Sequence, residues 1–170
     1  MAEIKTVGVV GAGQMGNGIA HVCALAGYDV ILSDISQDAL DAGLTTIEKN
    51  MSRQLSRELI SMDQMKAAQS RIQTSATLDP LGQADLAIEA ATENREIKEK
   101  IFADLSQLVP DHAYLATNTS SISVTRLAST TDRPERFIGL HFMNPVPLMK
   151  LMEIIRGLAT DQNTYEMAMG

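Results

Sequence analysis

This 170-residue chain has no tryptophan, three tyrosines, three phenylalanines and a single cysteine. A lone Cys23 excludes an intramolecular disulfide. On the apolar side of a helix it reads as core filling rather than a reactive thiol, a job shared with ten methionines. Basic charge is also short. Fourteen Lys and Arg against 21 Asp and Glu give a net charge of -7, which argues against general nucleic-acid or membrane-surface binding. No uninterrupted apolar run approaches bilayer length, and no apolar leader precedes the first strand, so a cytoplasmic enzyme with no membrane partner is expected. No spacing of His, Cys, Asp or Glu suggests a metal site. The length suits one hydrophobic core, hence one domain over 1–170.

Within those limits the N-terminus is specific. Ile4 to Val10 is a β-branched apolar run, as expected of a strand buried on both faces of a parallel sheet. Gly11-Ala12-Gly13-Gln14-Met15-Gly16 follows, and Asn17 to Ala26 reads as a helix with Ile19, Val22, Cys23 and Ala26 on one side. Strand, G-x-G-x-x-G turn and helix form the order a dinucleotide needs. Gly11 permits the tight turn, Gly13 admits the pyrophosphate and Gly16 lets helix and strand approach, while helix N-terminal N–H groups face the phosphates. Gly11, Ala12, Gly13, Gln14, Met15 and Gly16 are thus candidate cofactor contacts. A second strand, Tyr28 to Leu32, ends in Ser33-Asp34. Asp34 lies near the spacing at which a carboxylate accepts from the adenosine ribose and repels a 2'-phosphate, so the expected cofactor is NAD; an exposed helix-capping aspartate is the plainer alternative.

The rest of the chain alternates helix and strand. Gln37 to Leu59 reads as a long helix with Leu40, Leu44, Ile47, Met51 and Leu55 in phase, and Asp63 to Gln69 as a second helix. A short strand at Ile72-Gln73-Thr74 and a turn at Asp79-Pro80-Leu81-Gly82 follow. Strands are expected at Asp85 to Ala91, Ala113 to Thr117 and Arg136 to Phe142. Helices are expected at Asn94 to Leu108, at Ser123 to Ala128 and from Asp161. Such alternation indicates an α/β, doubly wound, mostly parallel sheet of the Rossmann type, with a helical excursion after the second strand.

The stretch from Gly139 to Glu153, GLHFMNPVPLMKLME, strings His141, Asn144 and Glu153 along a path that two prolines hold extended. Together with Asn118-Thr119-Ser120-Ser121 and the glycine turn, it closely resembles the signature of the 3-hydroxyacyl-CoA dehydrogenases. The resemblance covers essentially the whole chain and implies one more strand at Leu151 to Ile155. It implies NAD-dependent oxidation of the 3-hydroxyl of an L-3-hydroxyacyl-CoA, of the 3-hydroxybutyryl-CoA kind, and the reverse reaction, in fatty-acid β-oxidation or butanoate metabolism.

Alcohol oxidation of this kind needs a base of near-neutral pKa against the hydroxyl. The resemblance makes His141 that base, with Glu153 holding its other nitrogen and stabilising imidazolium. It makes Ser120 a hydrogen-bond partner of the substrate oxygen and a cofactor neighbour, and puts Asn144 near the nicotinamide ribose. Glu93 and Lys98 match positions that contact the nicotinamide side of the cofactor. Asn50 and Arg57, among Lys49 and Arg53 on the long helix, match coenzyme A contacts. The family often has a Lys-Lys-Gly run near Ser56-Arg57-Glu58; this chain keeps one basic group there and adds an acid. Taken singly, each residue has a plainer role. His141 suits a core, Ser120 an N-cap near Ser123, Asn144 a turn, Glu153 an exposed strand, Glu93 and Lys98 helix electrostatics, and Asn50 and Arg57 a solvated helix face. His21 and His112 read as structural or solvated.

Family members continue beyond the equivalent of Gly170. The resemblance therefore implies that the end of the nucleotide-binding sheet, a second asparagine near the substrate, and a helical C-terminal domain that closes the site and forms a homodimer are absent from this chain. The alternative reading is then an NAD-binding module without turnover. A more distant one, a β-hydroxyacid dehydrogenase of the 6-phosphogluconate type, conflicts with the His141-to-Glu153 block, because such enzymes usually employ a catalytic lysine.

Overall fold

A computed structural model describes residues 3–170. It contains one seven-stranded sheet in the order β3-β2-β1-β4-β5-β6-β7. The strands are β1 (Thr6–Val10), β2 (Asp29–Ser33), β3 (Ile72–Ser75), β4 (Leu86–Glu89), β5 (Tyr114–Thr117), β6 (Phe137–Phe142) and β7 (Met152–Arg156). All neighbouring pairs are parallel except β6 and β7. The helices are α1 (Gln14–Ala26), α2 (Gln37–Ser56), α3 (Met62–Arg71), α4 (Arg95–Leu108), α5 (Val124–Ala128) and α6 (Gln162–Met169).

Alternate strand residues feed two separate cores, as a sheet covered on both faces requires. Val7, Val9, Val30, Leu32, Ile88 and Ile138 meet α1, α2 and α3 on one face. Val10, Ile31, Ala87, Leu115 and Phe137 meet α4 and α5 on the other, where Phe102 packs edge-on to Phe137 at 4.7 Å. Strand order reverses between β1 and β4, so the crevice of this architecture opens beside the carboxyl ends of those two strands.

Several boundaries depart from the sequence reading, each for a local reason. Helix α1 begins at Gln14, not Asn17, because Gly13 already serves as its N-cap. The helix N-terminus therefore lies inside the glycine turn. Its buried side runs through Asn17, Ala20, His21 and Ala24 beside Ile19, leaving Ala26 exposed and Val22 and Cys23 half-buried. Helix α2 stops at Ser56, three residues early, where Glu58 takes a positive φ of 58°. It buries Leu40, Gly43, Ile47 and Met51, and Leu44 faces outward. Residues Asp79–Gln83 form a 3-10 turn. Asn94, Ser123 and Asp161 cap helices rather than begin them, each accepting from a backbone N–H three residues on.

The amino-terminal edge of the sheet is pinned by Asp85. Its carboxylate accepts from the Lys5 and Thr6 N–H groups, both at 2.9 Å, and meets His112 Nε2 at 2.9 Å. Partial burial, which alone would raise it, is outweighed by those bonds, so the carboxyl titrates below the usual aspartate range. A depressed carboxylate stabilises the fold above its unfolded-state pKa and loses that contribution as pH falls through the folded value. Asp85→Asn is expected to cost about 1–3 kcal/mol at neutral pH. Denaturant melts should show that deficit shrinking below about pH 4.

Candidate active site

Van der Waals geometry explains two of the three glycines of the first turn. Gly11 has a φ of +101°, and a Cβ there would lie 2.6 Å from the Ala90 carbonyl oxygen. A Cβ on Gly16 would fall 1.6 Å from the Gly11 carbonyl oxygen, so α1 approaches β1 as only glycine permits. Gly13 differs: its Cβ would meet nothing within 4 Å. Its α-carbon faces the open space above the helix N-terminus, where a phosphate group would lie.

Asp34 ties this turn to β2. Its Oδ2 accepts from the Ala12 N–H at 2.8 Å and its Oδ1 from the Ser36 N–H at 2.9 Å. A carboxylate offers about four acceptor positions, so capacity remains for ribose hydroxyls. Ser36, not Asp34, caps α2, so the capping alternative fails and Asp34 instead braces the turn. The cradle fits a dinucleotide on three counts: an open glycine, a helix N-terminus and an acid at the end of the second strand.

On the other side of the turn, a cavity of about 240 Å³ is lined by Gly13, Met15, Ala90, Glu93, Lys98 and Asn118, among others. Glu93 is exposed, and its Oε2 accepts from the Thr119 hydroxyl at 2.9 Å and the Ser121 hydroxyl at 3.0 Å. Lys98 is buried, with its ammonium 2.6 Å from both oxygens of Glu89. Glu89 is itself fully buried and further bonded by the Thr117 hydroxyl at 2.9 Å and the Ala91 N–H at 2.8 Å. Lys98 therefore belongs to an internal ion pair as well as to the cavity wall, not to the exposed helix charges. Removing one partner of such a pair typically costs roughly 3–5 kcal/mol.

The sequence reading passed over Glu89, although two signals marked the pair. Glu89 is an acid closing the apolar strand Leu86-Ala87-Ile88, and Lys98 shares the buried face of α4 with Phe102 and Leu105. The hydroxyls of Thr119 and Ser121, which orient Glu93, were also missed and had no distinguishing spacing.

Further along the same edge, strand register creates the histidine site. His141 and Glu153 are directly opposed across antiparallel β6 and β7, and His141 Nδ1 lies 3.2 Å from Glu153 Oε2. The imidazole is largely covered while its Nε2 is left by this contact for another partner. Ser120 is exposed in the turn after β5, whose Asn118 Oδ1 accepts the Phe142 N–H at 2.9 Å. That bond fastens the serine turn to the strand carrying His141. Ser123, not Ser120, caps α5. Asn144 is exposed in the turn after β6 and precedes a cis Pro145.

Asn50 and Arg57 come together with Arg53, Pro145, Pro147 and Leu148 around a cavity of about 210 Å³ between α2 and the turn after β6. Arg53 and Arg57 thus neighbour the Asn144 turn, while Lys49 lies on another part of the α2 surface. The other two histidines stand apart. His21 is fully buried, with Nε2 2.8 Å from Gln54 Oε1, and burial pushes its pKa down. His112 pairs with Asp85 at the opposite edge of the sheet. Burial pushes the Cys23 thiol up to about 12, away from nucleophilic use.

Comparison with known proteins agrees with this geometry. Residues 6–170 match the family model described as 3-hydroxyacyl-CoA dehydrogenase, NAD binding domain. A 3-hydroxybutyryl-CoA dehydrogenase of Bradyrhizobium diazoefficiens is 57% identical over 165 residues, which are 97% of this chain and 56% of that protein. The crystal structure of an (S)-3-hydroxybutyryl-CoA dehydrogenase from Ralstonia eutropha superposes with a TM-score of 0.94 at 45% identity, over 97% of this chain and 58% of that one. A 3-hydroxybutyryl-CoA dehydrogenase structure from Escherichia coli gives a TM-score of 0.95 at 40% identity, over 98% of this chain and 35% of that one. The chain thus spans about 56% of the length of the first curated relatives it matches. With an NAD cradle at one end of the sheet edge and an opposed His141 and Glu153 at the other, the chain belongs to the 3-hydroxyacyl-CoA dehydrogenase family, whose NAD-binding domain it contains.

Proposed function

We propose that this chain is the NAD-binding domain of an L-3-hydroxyacyl-CoA dehydrogenase acting on a short acyl chain such as 3-hydroxybutyryl-CoA. The cross-strand pairing of His141 with Glu153 carries this reading, supported by the names of its relatives. Residues 1–170 are read as one domain of a cytoplasmic enzyme. Closure over the acyl chain and pairing into a homodimer are assigned to the length that its relatives have beyond it.

In this reading NAD is held by the Gly11–Gly16 turn, with Asp34 on the adenosine ribose and Glu93, Lys98, Ser120 and Asn144 toward the nicotinamide. When bound, it supplies the hydride acceptor for alcohol oxidation. The remaining chemistry belongs to the chain. Glu153 holds the Nδ1 side of His141, so Nε2 faces the substrate hydroxyl and takes its proton. Imidazolium then forms beside a carboxylate, which lowers its cost. Ser120 donates to the substrate oxygen, and a protonated His141 serves the reverse direction. Asn50 and Arg57, with Arg53, present polar and cationic groups for coenzyme A phosphates.

A second reading is an NAD-binding module without turnover.

The test is NADH consumption by the purified chain with acetoacetyl-CoA. Turnover supports the dehydrogenase reading for this chain, whereas NADH binding without turnover supports the module. In an active form, His141→Ala is expected to lower kcat by about 10²–10⁴-fold with NADH affinity nearly unchanged; a wild-type rate would remove His141 as the base. Asp34→Ala should weaken NADH binding by roughly 10-fold or more, and calorimetric titration should find NADPH weaker than NADH for the parent. Gly13→Ala should keep the melting temperature while weakening NADH binding, and Gly16→Ala should lower both.

A further inference from the structure

Glu89 touches neither of the cavities that line the site, yet it is the most completely hydrogen-bonded carboxylate near it. Its two oxygens receive the Lys98 ammonium, the Thr117 hydroxyl and the Ala91 N–H. Structure alone does not require a charge here. A buried ion pair is often no more stabilising than apolar side chains of the same volume, and β4 is otherwise apolar. What distinguishes this pair is that one member, Lys98, reaches the cavity wall and the other stands behind it.

The charged groups lining that cavity are Glu93 and Lys98. Asp34 fixes the adenosine side of the glycine turn, so a dinucleotide crossing the turn directs its other end toward this cavity and the His141 strand. That end is cationic when oxidised and neutral when reduced. A bare Lys98 ammonium in the wall would disfavour the oxidised form. Glu89 cancels it at 2.6 Å, leaving the single negative charge of Glu93, itself oriented by Thr119 and Ser121.

We propose that Glu89 is a positioning residue that, through Lys98, sets the balance of affinity between oxidised and reduced nicotinamide. The proposal rests on the NAD reading of the cavity and adds a role to a residue that contacts no ligand. The buried pair and Glu93 act as one charge set, with Lys98 held as a neutralised donor. Its third N–H remains for a polar group of the ligand, because an ammonium carries three.

The experiment measures two dissociation constants for this chain, NADH by fluorescence titration and NAD by calorimetry, and compares their ratio across variants. Glu89→Gln removes one negative charge and should shift the ratio about tenfold toward NADH. Lys98→Met removes one positive charge and should shift it about tenfold toward NAD. Tenfold is the order expected of one elementary charge about 12 Å from a charged ring at an effective dielectric of about 20. The double variant Glu89→Gln, Lys98→Met leaves no unpaired buried charge and should return the ratio to within about twofold of the parent. A merely structural pair would weaken both nucleotides together and leave the ratio fixed, which overturns the proposal. If Glu89→Gln does not fold, the opposite shift in Lys98→Met and its reversal in the double variant decide alone. Failure of the parent to bind either nucleotide overturns the NAD reading and this proposal with it; binding of both with an unvarying ratio overturns only this proposal.

Discussion

Everything at the working edge of this molecule depends on how closely α1 approaches the end of β1. Gly16 sits where any side chain would strike the Gly11 carbonyl, and that contact fixes where the helix begins and which way its first N–H groups point. The turn is secured by Asp34, just after β2, and closed by Ala90, just after β4, which crowds Gly11. The dinucleotide cradle is thus a consequence of backbone packing between three adjacent strands. Its polar groups were placed by the same contacts that made the fold.

The second half of the edge is organised by strand pairing rather than by a turn. Glu89, Thr117 and Gly139 stand in register across β4, β5 and β6, and His141 opposes Glu153 across the one antiparallel pair. Because facing residues of an antiparallel pair share a side of the sheet, the register delivers the imidazole and carboxylate to each other. The Asn118 bond to Phe142 then locks the serine turn alongside. A shift of one residue between β6 and β7 would separate the dyad.

Much of this was legible in the residues because the signals were local. The glycine turn, the acid after the second strand and the parallel strands announce themselves by composition, β7 follows from the family resemblance, and the His141-to-Glu153 block is contiguous. The exceptions are instructive. Ala26 looked interior by its apolar character, but an alanine at a helix end has little surface to bury and faces out. Leu44 followed the helical period, yet Gly43 is the residue that packs against the first turn, 3.0 Å from the Ala12 carbonyl by its missing Cβ. Lys98 was weighed as a nicotinamide-side contact or a helix charge among Glu96, Glu99 and Lys100, and its ion pair went unread. Its partner is nine residues away on a strand, and the pair becomes visible only when β4 and α4 are packed.

The proposed dinucleotide site lies at the carboxyl edge around β1, β2 and β4. The direct measurement is a backbone amide NMR titration of the chain with NADH. Shifts are expected at Gly11 to Gly16, Asp34 and Ala90 to Glu93, spreading to Asn118 and Ser120. Shifts confined to the opposite edge, around Lys5, Asp85 and His112, would contradict it.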